Sequence, residues 1–442
     1  MARRKDKDEE RSSPVRPGEP IGQLAPQPWM EAAETKTVIA ALTAEGAEVR
    51  FVGGCVRDSV LKRPISDIDI ATHEPPERVI ALLEQAGIKA IPTGLAHGTI
   101  TAVVGKAHFE ITTLRADVEN FGRHARVKFT DNWTEDAARR DFTINAMACR
   151  PDDGLIFDPF DGLADLGYGR IRFVGDPMQR IDEDVLRLLR FFRFYAHYGR
   201  PPAGVEALAA CRAQAHRLPE LSGERIAGEL FKLLAAPEPA AVLLLMQGWK
   251  VLQHVLPEAL ELGRLRLLCF LESRAVVRPG LGVDPLRRLA ASLTVDKAGA
   301  EAVAVRLRLS NSQTERLVAL AAPPSRPTVD MDDRAARRLL RQVGPEIFRD
   351  LVLLAWAERK ALLARTPLGE TERWVHLLDL ADGWESVSLP VQGRDLIALG
   401  VPPGPRIGAL LGEIEQWWED GDYRAGREEA LERLRALVAA SR

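Results

Sequence analysis

The stretch that decides the fold is GGCVRDSVLKRPISDIDIAT, residues 53–72. Its two leading glycines follow an alternating run at 48–52 and precede a helical pattern, so they predict a strand, a glycine turn and a helix. At the other end, Asp67 and Asp69 alternate with isoleucines, which predicts a second strand with both carboxylates on one face. A glycine turn and two acidic side chains are therefore expected in one small sheet.

Strand patterns run from about residue 31 to about residue 175, where they alternate with helical patterns. Beyond the opening stretch, the strand runs are 99–104 and 108–113, and the helical runs are 31–45 and 76–86. From about residue 180 to the end, the periodicity is helical. The sequence therefore predicts an α+β fold class, in which a mixed unit precedes an all-α part.

The composition limits the class of protein. A chain of 442 residues suggests about three domains at ~150 residues each. The hydrophobic fraction of 46% is ordinary for a globular chain. No run approaches the ~18 apolar residues that a membrane span requires, so we expect no membrane partner. The net charge of −3 neither demands nor forbids a nucleic-acid partner.

Cysteine spacing bears on the compartment. The four cysteines show no CxxC pattern, so they indicate neither a disulfide framework nor a zinc knuckle. This usage favours a reducing compartment, and we expect a cytoplasmic protein. Residues 1–29 mix both charges with proline and lack an apolar run, which is untypical of a secretory signal and predicts a disordered segment.

The paired aspartates suggest metal chemistry. Two-metal catalysis needs ions ~3.5–4 Å apart that carboxylate oxygens bridge, and Asp67 and Asp69 could share such ions. Glu110 supplies a third carboxylate if its strand lies beside theirs. The turn at Gly53 and Gly54 could offer backbone N–H groups to a phosphate. Each feature alone is usually a solvated edge or a plain turn, but together they indicate phosphoryl or nucleotidyl transfer.

The same residues resemble a known family. GGCVRD at 53–58, followed by DIDIAT at 67–72, is similar to the GGxVRD…DxDxxT motif of class II CCA-adding tRNA nucleotidyltransferases and bacterial poly(A) polymerases. The resemblance implies a polymerase-β-like nucleotidyltransferase head followed by an all-α neck, body and tail. It also implies Asp67 and Asp69 as the metal ligands, Glu110 as the third catalytic carboxylate, and Mg²⁺ as the cofactor.

A second motif concerns phosphate and ribose. RRDFTINAMA at 139–148 is similar to the family motif that recognises these groups. Arg140 would clamp the triphosphate, because a guanidinium can bind phosphate oxygens in pairs. Asp141 and Asn145 are four residues apart and would share a face of a predicted helix. An isolated RRD is more typical of a solvated turn that caps a helix.

A third motif concerns the base. IDEDVLRLLR at 181–190 resembles the EDxxR motif on the first neck helix of the family. Asp184 and Arg187 are three residues apart, and as a plain surface ion pair they would contribute ~0–1 kcal/mol. As a recognition pair, the carboxylate accepts from the amine of cytosine or adenine, and the guanidinium donates to the ring nitrogen. Uracil and guanine reverse that pattern. The family also suggests that Glu183 holds Arg187.

These motifs give the candidate nucleotide-binding residues. They are Gly53, Gly54, Arg57, Arg140, Asp141, Asn145, Asp184, Arg187 and Arg190. LSGERIAGEL at 221–230 resembles a further family motif, which we interpret as structural support for the neck. The segment 115–133, with Asp117, Gly122, Arg123 and His124, resembles the flexible loop of the family, although a surface loop without a role has the same appearance.

The resemblance yields a domain plan and a functional hypothesis. The plan is a disordered segment at 1–29, a head at 30–175, a neck at 176–245, a body at 246–345 and an RNA-binding tail at 346–442. The hypothesis is template-independent addition or repair of the CCA end at the 3′ acceptor of tRNA, with CTP and ATP. Alternatives are a poly(A) polymerase, a partial CC- or A-adding enzyme, and a non-catalytic RNA-binding relative. The full-length loop argues against a CC-only enzyme.

Overall fold

The computed structural model describes residues 18–121, 124–273, 281–363, 365 and 367–440, with residues 96, 117–121 and 124–127 given by backbone alone. These residues divide into two compact units. The first unit lies within Met1–Ala236 and Leu245–Val255, and the second, here the helical unit, lies within Pro237–Leu244 and Leu256–Arg442.

A mixed sheet and a separate hairpin underlie the first unit. The strands are β1 (Gly22–Gln23), β2 (Val49–Val52), β3 (Ile68–Thr72), β4 (Lys89–Gly94), β5 (Thr99–Val104), β6 (Ala107–Thr113), β7 (Arg115–Phe121), β8 (His124–Phe129), β9 (Ala148–Cys149) and β10 (Leu155–Phe157). The sheet order is β1-β10-β9-β2-β3-β6-β5-β4, and β7 pairs with β8. β3 and β6 run parallel, because the elements between them supply the crossover that parallel neighbours need.

The helices of the first unit are α1 (Pro28–Glu31), α2 (Ala33–Thr43), α3 (Gly54–Val60), α4 (Pro76–Gln85), α5 (Trp133–Ala138), α6 (Gly162–Tyr168), α7 (Pro177–Glu183), α8 (Leu186–Tyr198), α9 (Val205–Gln214) and α10 (Gly223–Leu234). The next helix, α11 (Pro239–Gly248), is divided between the two units at residue 244. Single 3₁₀ turns lie at Leu95–His97, Thr143–Asn145, Ala215–Glu220 and Leu252–His254. α4 packs on the sheet through Val79, Leu82 and Leu83, whose spacing places them in one stripe.

Alternation along β3 separates the core from the acidic face. Ile70 is fully buried, whereas its neighbours Asp69 and Ala71 point to the opposite face. On that face Ala71 joins a small apolar cluster of Val52, Leu114, Ala148 and Phe157. The core therefore fixes the register that brings Asp69 to the other side of the sheet.

The described residues of the helical unit contain no strand. Its helices are α12 (Gly263–Ser273), α13 (Pro285–Ser292), α14 (Lys297–Arg306), α15 (Asn311–Ala321), α16 (Asp333–Leu362), α17 (Glu370–Asp382), α18 (Gly393–Ala398), α19 (Pro405–Asp420) and α20 (Arg427–Ala440). α16 is broken at Gly344, whose φ is 78°, just before Pro345. The last three helices share a core in which Leu396, Ile414 and Leu434 are fully buried.

The α+β prediction is confirmed, and two local expectations need correction. Gly22–Gln23 is a strand rather than part of a disordered segment, because the backbone amides of Ile21 and Leu24 donate to the carbonyls of Ile156 and Gly154. The predicted loop at 115–133 is largely the β7–β8 hairpin. Of the expectations for that segment, those on Gly122 and Arg123 fall outside the described residues. Those on Asp117 and His124 concern side chains that are not described. Residues 1–17 also lie outside the described chain.

Candidate active site

Strand register brings the acidic residues together. Asp69 on β3 pairs in parallel register with Glu110 on β6, so both side chains lie on the same face. Asp67 directly precedes β3, and its Oδ2 accepts a hydrogen bond from the hydroxyl of Ser66 at 2.7 Å. Phe109, beside Glu110, is fully buried on the opposite face. The core side chains of both strands therefore place the carboxylates side by side.

The carboxylates repel one another. The pKa of Asp69 rises to about 6, first through burial and then through the charge of Glu110, with a smaller contribution from Asp67. The charges of Arg140 and Arg57 act in the opposite direction. A divalent cation at this position would relieve the repulsion, so the chemistry of the donor set fits one.

The described residues offer no closed protein cage for a metal. In 18–121, 124–273, 281–363, 365 and 367–440, no group of three or more His, Cys, Asp and Glu side chains could enclose an ion. Mg²⁺ is usually held by one or two carboxylates, waters and substrate phosphates rather than by such a cage. Asp67 and Asp69 fit a cation that is shared with a bound phosphate.

The glycine turn allows a close approach of charged groups. Gly53 has φ 73°, a conformation that favours glycine, and it precedes α3. A Cβ at this position would lie 3.0 Å from Nη1 of Arg140 and 3.5 Å from Oδ2 of Asp69. The absent side chain therefore lets the guanidinium of Arg140 lie over the turn beside the acidic face.

Arg140 and Arg57 differ in how they are held. Nη1 of Arg140 is 3.4 Å from the carbonyl of Asn145, and Nη2 is 3.5 Å from a carboxylate oxygen of Asp136. Arg57 is buried, and it donates to Oδ1 of Asn145 at 2.5 Å and to Oδ2 of Asp58 at 2.7 Å. The long contacts of Arg140 leave it able to bind a ligand, whereas Arg57 builds the wall.

Asp141 and Asn145 meet, but not on a helix as the sequence predicts. α5 ends at Ala138, and the chain passes through extended Phe142 into the 3₁₀ turn at Thr143–Asn145. Phe142 forms a bridge with Phe173, which holds it out of helical geometry. Nδ2 of Asn145 nevertheless donates to Oδ1 of Asp141 at 2.9 Å.

Asp141 is an anchored anion. Burial alone would raise its pKa, but the charge of Arg190 and the hydrogen bonds from Asn145 and Arg190 bring the pKa below its usual value. Nε of Arg190 donates to Oδ2 of Asp141 at 2.7 Å. This pair joins the RRD segment to helix α8.

Asp184 lies between helices rather than on the face of one. It has φ −151° and separates α7 from α8, so the expected pairing with Arg187 along one helix is wrong. Its Oδ1 accepts the backbone N–H of Leu186 at 3.1 Å, and Nη2 of Arg225 lies 3.1 Å from both of its carboxylate oxygens. Asp184 therefore binds the N–H of the first residue of α8, whose N-cap residue is Val185.

Arg187 is held by a different carboxylate. Its Nη1 donates to Glu183 and, at 3.0 Å, to the carbonyl of Arg180. Nη2 is 3.4 Å from the carbonyl of Arg139, which is a long contact. The contact between Glu183 and Arg187 is the one that the family resemblance suggested.

One cavity of about 600 Å³ gathers most of the candidate residues. Ten of the twelve line it: Gly53, Gly54, Arg57, Asp69, Arg140, Asp141, Asn145, Asp184, Arg187 and Arg190. The other two, Asp67 and Glu110, are outside its lining and lie beside Asp69 as described. Five further residues of the lining were not among the candidates from the sequence: Arg115, Arg139, Leu186, Phe194 and Arg225.

One face of α8 runs along this cavity. Arg187, Arg190 and Phe194 line it. Tyr198, four residues further on, donates its hydroxyl to Oδ1 of Asp58 at 2.9 Å and places its ring 4.4 Å from the guanidinium of Arg57. Spacings of three and four residues put all four side chains on one face. This spacing could have identified Phe194 and Tyr198, but the buried aromatic pattern of the same helix conceals it.

A second cavity of about 710 Å³ shares Arg140 with the first. The guanidinium of Arg50 lies there between the rings of Trp133 and Phe157, 4.2 and 3.6 Å from their centroids. Three aspartates and a glutamate also line this cavity. Their charge suits a polyphosphate less well than the arginines of the first cavity do.

Known proteins match both parts of the chain. Residues 49–172 match the family model described as the Poly A polymerase head domain, and residues 205–262 match a probable RNA and SrmB-binding site of polymerase A. CCA tRNA nucleotidyltransferase 1, mitochondrial, of Mus musculus is 34% identical over 391 residues, which span 88% of this chain and 86% of the mouse protein. The CCA-adding enzyme of Levilactobacillus brevis is 33% identical over 86% of this chain and 91% of its own length.

A solved structure agrees with these relatives. The Bacillus stearothermophilus CCA-adding enzyme in complex with CTP matches with a TM-score of 0.74 at 27% identity, over 92% of this chain and 98% of that one. Fold and relatives together define a nucleotidyltransferase. The chain belongs to the family of class II CCA-adding enzymes and poly(A) polymerases, as its motifs indicated. No helix in the described part of the chain is both long and apolar enough to cross a membrane.

Proposed function

We propose that this enzyme adds or restores the CCA end of tRNA without a template, using CTP and ATP, and that its cofactor is Mg²⁺. The observation that carries the proposal is the single cavity in which Asp69, Arg140, Asp184 and Arg187 converge. A carboxylate and an arginine for the base lie in the same space as groups suited to a metal-bound triphosphate. The names of the relatives in mouse and Levilactobacillus brevis support the same activity.

The residues have separate roles in this mechanism. The 3′ hydroxyl of tRNA attacks the α-phosphate of the nucleotide, and pyrophosphate leaves. Asp67 and Asp69 would hold the divalent cations, with Glu110 beside them. A bound cation supplies a lowered pKa at the attacking hydroxyl and neutralises charge on the leaving pyrophosphate. Arg140 binds the triphosphate through donors that the protein satisfies only at 3.4 and 3.5 Å.

Other residues line the cavity and orient these groups. Arg57, Asn145 and Asp141 form one hydrogen-bonded chain, and Arg190 ends it on α8. Each of these side chains is fixed by its neighbour. The series of hydrogen bonds therefore holds the phosphate side of the cavity in a fixed position relative to α8, the helix that reads the base. We assign these four residues to positioning of the nucleotide.

The base is read by Asp184 and Arg187. An ionised carboxylate only accepts hydrogen bonds, and a guanidinium only donates them. Cytosine and adenine present an amine beside an unprotonated ring nitrogen, which complements this pair, whereas uracil and guanine leave both groups unpaired. A site built for one pattern can reject the other by ~10⁴-fold. The long contact from Nη2 of Arg187 leaves that donor for the ring nitrogen.

Trimmed tRNA transcripts test the proposal. On a transcript that ends at the discriminator base, CTP alone should add two C residues, and CTP with ATP should complete CCA. On a transcript ending in CC, ATP alone should add a single A. No incorporation of CMP would refute the proposal, a long A tail would identify a poly(A) polymerase, and arrest at CC would identify a partial enzyme.

A matched pair of variants tests the role of Asp184 in base recognition. Asp184→Asn should lose discrimination between CTP and UTP, because an amide presents both donor and acceptor. Asp182→Asn is the control, since Asp182 lies two residues earlier in an exposed ion pair with Arg217 and outside the cavity lining. Equal behaviour of the two variants would contradict the assignment of Asp184.

Two further proposals concern organisation and compartment. We assign the head to residues 30–175, the neck to 176–245, the body to 246–345 and an RNA-binding tail to 346–442. We place the enzyme in the cytoplasm, on the basis of its unpaired cysteines, although the mouse relative is named as mitochondrial. Fractionation of cells with an antibody against the chain would test the location.

A further inference from the structure

We propose that Arg225 is the positioning residue that orients the carboxylate of Asp184 and thereby sets the selectivity for CTP and ATP. The inference rests on the proposed function, in which Asp184 accepts from the base amine. It extends the motif at 221–230 beyond structural support of the neck, because one side chain of that motif reaches the group that reads the base.

The backbone at Asp184 does not by itself orient the side chain. Asp184 has extended backbone angles, φ −151° and ψ 108°, and lies outside both α7 and α8. Its carboxylate is held by donors from outside: the N–H of Leu186 at 3.1 Å from Oδ1, and Nη2 of Arg225 at 3.1 Å from each oxygen. Arg225 is therefore the donor that touches both oxygens and fixes the plane of the group.

Occupied lone pairs determine which direction remains for the base. A carboxylate has about four acceptor positions. Oδ1 of Asp184 receives two donors, Leu186 and Arg225, whereas Oδ2 receives Arg225. Oδ2 therefore keeps the greater acceptor capacity for an incoming amine. Without Arg225 the carboxylate would keep the hydrogen bond from Leu186 to Oδ1, but it could turn about that contact, and Oδ2 would no longer be aimed at the base.

Arg225 itself is anchored on a separate helix. It lies in the first turn of α10, where its backbone N–H donates to the carbonyl of Ser222 at 3.1 Å. Its side chain spans from α10 to the break before α8 and lines the cavity. The ion pair is partly solvated, with 26% of the Arg225 side chain and 22% of the Asp184 side chain exposed. Such a pair contributes little to stability, so its loss should leave the fold intact.

The experiment compares selectivity in three variants of the full chain. Arg225→Gln removes the charge, Arg225→Lys keeps it without the planar fork, and Arg217→Gln removes a neighbouring arginine that pairs with exposed Asp182. The measurement is kcat/KM for CTP and for UTP on a tRNA transcript that ends at the discriminator base. Thermal unfolding of each variant is recorded in parallel.

The expected result is a selective loss. Arg225→Gln should lower kcat/KM for CTP by about 10- to 100-fold, the scale of one charged hydrogen bond, with little change for UTP. The CTP to UTP ratio should fall accordingly, Arg225→Lys should recover part of it, and Arg217→Gln should match the wild type. An equal loss for both nucleotides, or an unchanged ratio, would overturn the inference.

A double substitution tests whether Arg225 acts through Asp184. In an Asp184→Asn background, Arg225→Gln should cause no further change in the CTP to UTP ratio, whereas an additional loss as large as in the wild type would overturn the inference. If Arg225→Gln fails to fold, Arg225→Lys decides, and a wild-type ratio in that variant refutes the assignment. Failure of the wild type to add CMP would instead refute the proposed function.

Discussion

The arginines of the two units differ in the length of the hydrogen bonds that their guanidinium groups make. Around the cavity of the first unit, Nη1 of Arg140 and Nη2 of Arg187 lie 3.4 Å from backbone carbonyls, although Nη1 of Arg187 is bound to Glu183. In the helical unit, Arg287 is buried and donates to Glu272 at 2.6 Å and to Asp350 at 3.0 Å. A guanidinium nitrogen with a short carboxylate partner supports the fold, whereas a nitrogen with only a long contact beside a cavity can bind a ligand.

Arginines nearer the surface of the helical unit are likewise paired with carboxylates. Nε of Arg337 donates to Asp422 at 2.7 Å, and Arg341 pairs with Glu415 and Glu419. These ion pairs join α16 to the C-terminal helices. Abundance of arginine in the sequence therefore says little about phosphate binding until the partner of each arginine is known.

The largest effect should come from Asp69→Asn. Loss of a carboxylate that we propose as a cation ligand should lower nucleotide incorporation by about 10³-fold or more. Stability should be unchanged or higher, because the substitution removes repulsion with Glu110. Rates of CMP addition and thermal unfolding measure the two effects, with Asp182→Asn as the control. Activity within tenfold of the wild type would contradict the role of Asp69.

Glu272→Gln should give the reverse pattern. Glu272 is the shared buried partner of Arg287 and Arg288, with side-chain exposure of 0% against 7% and 1%. Breaking such a buried pair costs about 3–5 kcal/mol, because two buried guanidinium groups lose the negative charge that they share. Denaturant unfolding should show that loss, while incorporation per folded molecule stays near the wild type. A stable variant with impaired catalysis would undo the contrast between the two units.

Asp141→Asn tests the ion pair of Asp141 with Arg190, which both stabilises the fold and lines the cavity. Because the pKa of Asp141 is lowered in the folded state, its stabilisation is complete above the unfolded value of about 3.9 and is lost as pH falls through the lower folded value. The variant should therefore lose about 2 kcal/mol at neutral pH and nothing in strong acid. Urea unfolding of both proteins across pH measures this difference. A difference that grows as pH falls would contradict the sign.

The smallest effect should come from Arg341→Gln. Its partners Glu415 and Glu419 are 43% and 19% exposed, so the loss in unfolding free energy should be at most about 1 kcal/mol. Since its donors are already occupied by carboxylates, tRNA affinity should change by less than about twofold. A clear fall in affinity with a weaker salt dependence would show instead that Arg341 contacts a phosphate.

Local patterns in the sequence predict the acidic face well. Alternation fixes which residues of β3 and β6 face the core, so Asp69 and Glu110 could be assigned to one face before their strands were known to be neighbours. The parallel pairing of β3 with β6 is a long-range contact, and the sequence pattern leaves it open. The family resemblance supplied this neighbourhood, because it implies Glu110 as the third catalytic carboxylate.

Contacts between distant segments explain what the sequence did not reveal. Asp184 breaks a helix that periodicity continues, because its side chain bonds to Arg225, 41 residues further along the chain. The RRD segment leaves helical geometry because Phe142 bridges to Phe173. Local spacing predicted the meeting of Asp141 with Asn145, although the backbone between them is not the expected helix.

Helix α8 sets the distance between two ends of the cavity. Its cavity face carries Arg187 at one end and Tyr198 at the other, eleven residues or ~16 Å apart at the usual helical rise. The separation between Arg187, to which we assign base recognition, and the residues at Arg57 is thus a fixed number of peptide units. Insertion of one residue within α8 would rotate its far end by ~100° and move Tyr198 off the cavity face.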